Sequence, residues 1–139
     1  MVNQSAQLEY LIARMVSSGP RVRHKYAFWF PLPYSVLKVM YGDILKRLDR
    51  GECPVCGKTF RSRHVVSAHL FKYHKEFVAS VIESTIEKYL LIMLNLRHVG
   101  NSIVLKVNDK EIKFKTRRQL AEYIQRNPEV LEMLGNGGS

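Results

Sequence analysis

Apolar residues recur at helical spacing near the start of the chain. Leu8, Leu11, Ile12, Met15 and Val16 share one face of a helix predicted over 6–18, with Ser5 as its cap and Gly19-Pro20 as its stop. The period is lost over 21–33. There Arg21, Arg23 and Lys25 give way to Tyr26, Phe28, Trp29 and Phe30, and Pro31 and Pro33 oppose a helix interior, so an extended segment or loop is expected. Such aromatics usually build core, although rings beside cations also suit base stacking. Helical spacing returns over 34–48, where Val36, Leu37, Met40, Tyr41, Ile44, Leu45 and Leu48 recur and Pro33 stands near the first turn.

A long helix is predicted over 76–98 from Phe77, Val78, Val81, Ile82, Ile86, Tyr89, Leu90 and Met93. Its second half, Tyr89 to Leu94, is apolar all round and must be covered either by the N-terminal helices or by a second copy of the chain, a homodimer through residues 77–97. Gly100-Asn101 is read as the end of this helix. Alternation then predicts a β-hairpin over 103–107 and 111–115 around Asn108-Asp109. Ile103, Leu105, Val107, Ile112 and Phe114 face inward, and Lys106, Lys110, Lys113 and Lys115 face out. Thr116 and Gln119 have capping-box spacing for a helix over 117–125, Asn127-Pro128 opens a further short helix, and Gly135 closes it. Residues 135–139 are low in complexity and read as a disordered tail. The pattern describes a mainly α fold with small β elements (α+β). It has an N-terminal helical region (1–50), a small unit (51–75), and a region of long helix, hairpin and C-terminal helices (76–134) able to share a core with the first.

Composition adds charge to this picture. The 139 residues are 46% hydrophobic, enough for a modest core, yet 22 Lys and Arg against 12 Asp and Glu leave a net charge of +10. That balance favours a polyanionic partner, DNA or RNA, or an acidic surface. No membrane association is expected, because the start of the chain is polar and the longest apolar run is far too short to span a bilayer.

The unit at 51–75 carries the chemistry. Cys53, Cys56, His69 and His74 stand as Cys-x2-Cys-x12-His-x4-His. Pro54 and Val55 let both sulfurs turn inward from a tight knuckle, and Gly57 lets the backbone fold back without a Cβ clash. The next twelve residues hold a short return strand and about two helical turns, which carry the imidazoles to the far side of a metal, with Phe60 and Val66 packed beside it. Over 53–74 the chain resembles the Cys2His2 zinc-finger family, found in eukaryotic transcription factors and in some archaeal and archaeal-virus regulators. The resemblance implies a ββα unit holding one Zn2+ per chain. Val66 stands where the family usually has Leu, and neither a second finger nor an inter-finger linker follows His74. On an ideal helix His69 and His74 differ by about 140° in direction, so the helix must tighten or break near Phe71 to Tyr73. With both cysteines used as ligands, a reducing intracellular compartment is expected, cytoplasm, nucleoid or nucleus.

In that family, base edges are touched mainly from the residue before the helix and from its third and sixth residues, here Ser62, Val65 and Ala68, with His64 between them. The set lacks long polar side chains, so base readout is expected to be weak, while Lys58, Arg61, Arg63 and Lys72 are placed to hold phosphates. Lys113, Lys115, Arg117, Arg118 and the segment from Arg21 to Lys25 offer further phosphate contacts, although exposed hairpin lysines equally serve solubility and edge protection. The expected function is a small zinc-dependent DNA-binding regulator. The alternative is a zinc-stabilised interaction module for protein, or an RNA-binding protein. Four protein ligands leave no open position for a catalytic water, and no second acidic metal site, Ser-His-Asp set or Gly-rich phosphate loop is evident, so no enzyme is expected.

Overall fold

The computed structural model describes residues 4–136. Among them the chain forms seven helices and three strands: α1 (Gln4–Ser17), α2 (Pro20–Trp29), α3 (Pro31–Asp49), α4 (Arg63–Tyr73), α5 (Lys75–Leu94), β1 (Leu96–Val99), β2 (Ser102–Val107), β3 (Lys110–Phe114), α6 (Arg117–Arg126) and α7 (Glu129–Asn136). The fold is mainly α with one small antiparallel sheet, as the pattern predicts. Among the described residues no helix is long and apolar enough to cross a membrane.

Residues 21–33 are not a loop. Pro20 and Pro31 each stand at the start of a helix, where a missing N–H forfeits no intrahelical bond and the fixed φ favours the first turn. The two prolines therefore start α2 and α3, which meet at Phe30 (φ −132, ψ 66), and its N–H bonds Tyr26 O at 2.7 Å. Pro33 lies inside the first turn of α3, and α3 bends further along at Tyr41 (φ −134, ψ 27). α1 begins at Gln4, so Ser5 lies within it rather than capping it.

The long helix is also shorter than expected. α5 stops at Leu94, and Asn95 closes it by donating from its side-chain amide to Leu91 O at 2.8 Å. The chain then turns back as β1, and Gly100 (φ +62) and Asn101 form a hairpin turn rather than a helix end. β2 pairs with β1 on one side and β3 on the other, with Val107 opposite Lys110 around the expected Asn108-Asp109 turn, where Asn108 takes φ +55. Thr116 caps α6 by accepting from Gln119 N, while Gln119 Oε1 accepts from Lys115 N. α7 runs through Gly135 to Asn136, so Gly135 does not close it; 137–139 lie outside the described residues.

The core falls into two clusters. The first joins Ile12, Met15 and Val16 of α1, Leu37, Leu45 and Leu48 of α3, Cys53, Val66 and Leu70 of the 51–75 unit, and Val78, Val81 and Ile86 of α5. The second joins Leu32 and Val36 of α3 and Ile92 of α5 to Leu105 and Val107 of β2, Leu120 and Ile124 of α6, and the apolar side of α7. α3 and α5 thus run through both. The apolar second half of α5 finds cover within the chain from α3 and α7, leaving Leu90 and Leu94 exposed.

Candidate metal centre

α3 ends at Asp49, and Gly51 (φ +81) turns the chain into the knuckle. A Cβ at Gly51 would meet Phe60 O at 2.7 Å, so glycine alone fits this crossing. The turn is held by Cys53 N donating to Lys58 O and Gly57 N to Cys53 O, each at 2.9 Å, and by Phe60 N donating to Gly51 O at 2.8 Å. A single Glu52–Thr59 bridge stands where the family resemblance implies two strands. Ser62 then caps α4 by accepting from Val65 N at 3.2 Å.

This local folding brings together the four predicted ligands. One donor atom from each of Cys53, Cys56, His69 and His74 lies within 4.8 Å of the others, a cluster able to hold a metal ion. Tetrahedral bonds of about 2.0–2.3 Å place donors roughly 3.3–3.8 Å apart. Cys56 Sγ and His69 Nε2 already stand at 3.4 Å. The helix breaks at His74 itself (φ −129, ψ 49), one residue beyond the expected stretch, and the break brings its ring to 5.1 Å from that of His69. Phe60 packs against His69 with centroids 4.6 Å apart, and Val66 is fully buried, as expected of the residues beside the metal.

The donor set is prepared for a cation. Among the described residues, His74 Nε2 is the buried side-chain polar atom with no hydrogen-bond partner, a state that costs about 1–3 kcal/mol unless something ligates it. A hydrogen bond from the Lys58 backbone holds the Cys56 thiol below its ordinary pKa, aided by a bond with Cys53 and by the Lys58 charge, against the opposing effect of desolvation. Desolvation, together with the neighbouring His74 and Lys58, lowers the pKa of His69. Both shifts favour the deprotonated forms that bind metal. The residues therefore fit a Cys2His2 site, consistent with one zinc.

Arg63 does not face solvent with its neighbours. Its Nε donates to Asp49 Oδ1 at 3.0 Å, Nη2 to Val16 O at 2.7 Å, and Nη1 to Ser67 Oγ. Arg23, the buried cation of α2, donates to Asp49 Oδ2 at 2.5 Å and to Ser18 O at 3.3 Å. Ser67 Oγ in turn donates to Ser17 O at 2.9 Å. Two guanidiniums thus share one carboxylate, and carbonyls at the negative end of α1, with Ser67 Oγ, accept the remaining bonds. Burial lowers the Arg63 pKa, and Asp49 offsets part of that. Arg63, expected at a phosphate, is thus engaged in a latch that fastens α4 to α1 and α3, with Arg23 of α2 on the same carboxylate. The spacing around the four candidate ligands carries no trace of Asp49 or Arg23, which come from helices before the unit.

The other predicted contact residues divide into two groups. Lys58, Arg61, Ser62, His64, Val65, Ala68 and Lys72 are exposed, and those within α4 lie away from its buried Val66, Ser67 and Leu70. Lys113, Lys115, Arg117 and Arg118 are exposed on β3, α6 and the link between them, which pack into the second cluster. Arg118 reaches back to α2, donating to Phe28 O at 3.2 Å with its guanidinium 4.7 Å from the Phe28 ring centroid. Compared with protein-family models, with curated proteins and with solved structures, the chain finds no match.

Proposed function

We propose that this chain is a zinc-stabilised nucleic-acid-binding protein, a small DNA-binding regulator that lays the outer face of α4 against a duplex. The observation that carries this reading is the division of α4. One side is fastened into the first core cluster by Val66, Leu70 and Arg63, while the other presents His64, Val65, Ala68 and Lys72 to solvent beside Arg61 and Lys58. A Cys2His2 set with all positions filled by protein suits structural zinc, and the +10 charge supplies attraction to phosphate. Val65 and Ala68 at the middle of the face offer no bidentate partner to a base, so duplex binding is expected to be mostly independent of sequence.

The test is affinity for random duplex DNA across a salt series, for wild type and for a variant with Lys58, Arg61 and Lys72 replaced by alanine. The expected wild-type log–log dependence is steep, and each lost phosphate contact flattens it by about 0.9. An unchanged slope would refute the finger face as the duplex surface. The small apolar centre formed by Val65 and Ala68 would then favour the second reading, a zinc-stabilised unit that docks protein.

A further inference from the structure

We infer that α2, with the start of α6, forms a second nucleic-acid surface that takes a single strand by stacking its bases. This inference does not rest on the duplex reading, and the two can fail separately. Its first support is exposure. Phe28, Trp29 and Phe30, for which sequence reasoning favours the core and leaves base stacking as the alternative, are exposed at 54%, 72% and 45%. A ring system as large as tryptophan left mostly in water is a poor use of its apolar area unless something stacks on it.

The second support is the interleaving of charge. Arg21, Lys25 and Trp29 follow one another at intervals of four along α2, so they form a single exposed stripe. His24 and Phe28 form the next stripe, and Arg118 from α6 lies over the Phe28 ring beside exposed Arg117. Four exposed cations, Arg21 and Lys25 on α2 and Arg117 and Arg118 at the start of α6, therefore share these two elements with two rings that meet edge to face at 5.3 Å. Protein-docking patches are also enriched in arginine and aromatic rings, but their cores are depleted in charge overall and in lysine, and here Lys25 stands between Arg21 and Trp29 on the exposed stripe. Alternating cations and ring faces instead match a backbone that is negative at each step and carries a flat base between steps.

The cleft between α2 and α6 is about 180 Å3, lined by His24, Phe28, Tyr34, Arg118, Glu122 and Gln125 among others, so one carboxylate stands beside Arg118 there. That is below the roughly 300–1,000 Å3 of pockets that enclose a cofactor-sized ligand. The surface thus suits a strand lying across it better than an enclosed small molecule. Arg118 sits on one side of Phe28, whereas Trp29 is the more open platform.

Trp29 is the sole tryptophan of the chain, so its emission reports this surface directly. The experiment titrates the full metal-loaded protein with a labelled oligothymidylate of about fifteen nucleotides, within the range of known single-strand site sizes. Tryptophan emission and probe anisotropy are followed across salt. The expected result is saturable quenching with a log–log salt slope near −3, since four phosphate contacts at about 0.7 each act on a single strand. Trp29→Ala should weaken probe binding about tenfold or more, Trp29→Phe should recover part of it, and Arg117→Ala with Arg118→Ala should flatten the slope by about 1.4. The Lys58, Arg61 and Lys72 variant should keep the quenching. Unchanged emission on saturation, or equal probe affinity in wild type and Trp29→Ala, would overturn the inference. Loss of self-association or of a protein partner on Trp29→Ala, with no effect on the oligonucleotide, would also overturn it and mark a protein-docking patch.

Discussion

Asp49 holds two guanidinium groups at once, and Asp49→Ala removes both attachments in one step. The side chains of Arg23 and Arg63 are 8% and 13% exposed, and that of Asp49 is 23% exposed. Breaking a fully buried pair by removing one partner costs about 3–5 kcal/mol, because the stranded charge stays buried. Arginine cannot escape by releasing its proton, so the cost falls on stability. Water reaches the Asp49 position, and the carbonyls of Val16 and Ser18 still accept from the two arginines, which moderates the loss to about 3 kcal/mol. For a chain of this size that corresponds to roughly 10 °C in Tm. Thermal unfolding of the metal-saturated protein, followed by far-ultraviolet circular dichroism, measures it. Adding Arg63→Met to Asp49→Ala should return about 1–2 kcal/mol, since the double variant no longer strands that cation. A loss below about 0.5 kcal/mol for Asp49→Ala would refute the latch and class these contacts with screened surface pairs.

Two further outcomes follow from the metal-ligand unit. Gly51→Ala combines a left-handed φ with a backbone clash against Phe60 O and should cost about 3 kcal/mol, whereas Gly57→Ala at φ +77 meets nothing within 4 Å and should cost about 1 kcal/mol. Urea unfolding of the pair checks this, and equal costs would count against the close crossing. Metal binding should also survive acidification well: the lowered His69 pKa keeps the ring neutral below the ordinary imidazole value of about 6.5, and the lowered Cys56 pKa reduces proton competition at the sulfur. Both groups resist protonation when folded, so their contribution to stability is present at higher pH and is lost as pH falls through the folded pKa values. A metal titration across pH with half-loss above 6.5 would contradict this.

The ligand cluster was legible because its order and spacing are local, and the hairpin around Asn108-Asp109 because alternation and turn chemistry agree. The segment 21–33 misled for a physical reason: proline forbids a helix interior but favours a helix start, and the hydrophobic period cannot distinguish the two when aromatic residues point outward. Leu96 to Val99 reads as helix by continuity with α5, yet Asn95 closes that helix and β2 supplies the partner that makes a strand. Arg63 looks like every other cation beside a finger helix. Its inward turn is decided by Asp49 and the Val16 carbonyl, which only the tertiary fold brings near.

A small metal-held unit joined to its neighbours only by flexible linkers could turn freely against a surface. The helix α4 has no such freedom, since its inner side is fixed to α1, α3 and α5. Any surface that meets its outer face is approached by the whole body at one angle, and α2, the sheet and α6 travel with it. On the duplex reading proposed above, selectivity would then arise from clearance, with bent, flanked or crowded targets refused by the bulk of the molecule.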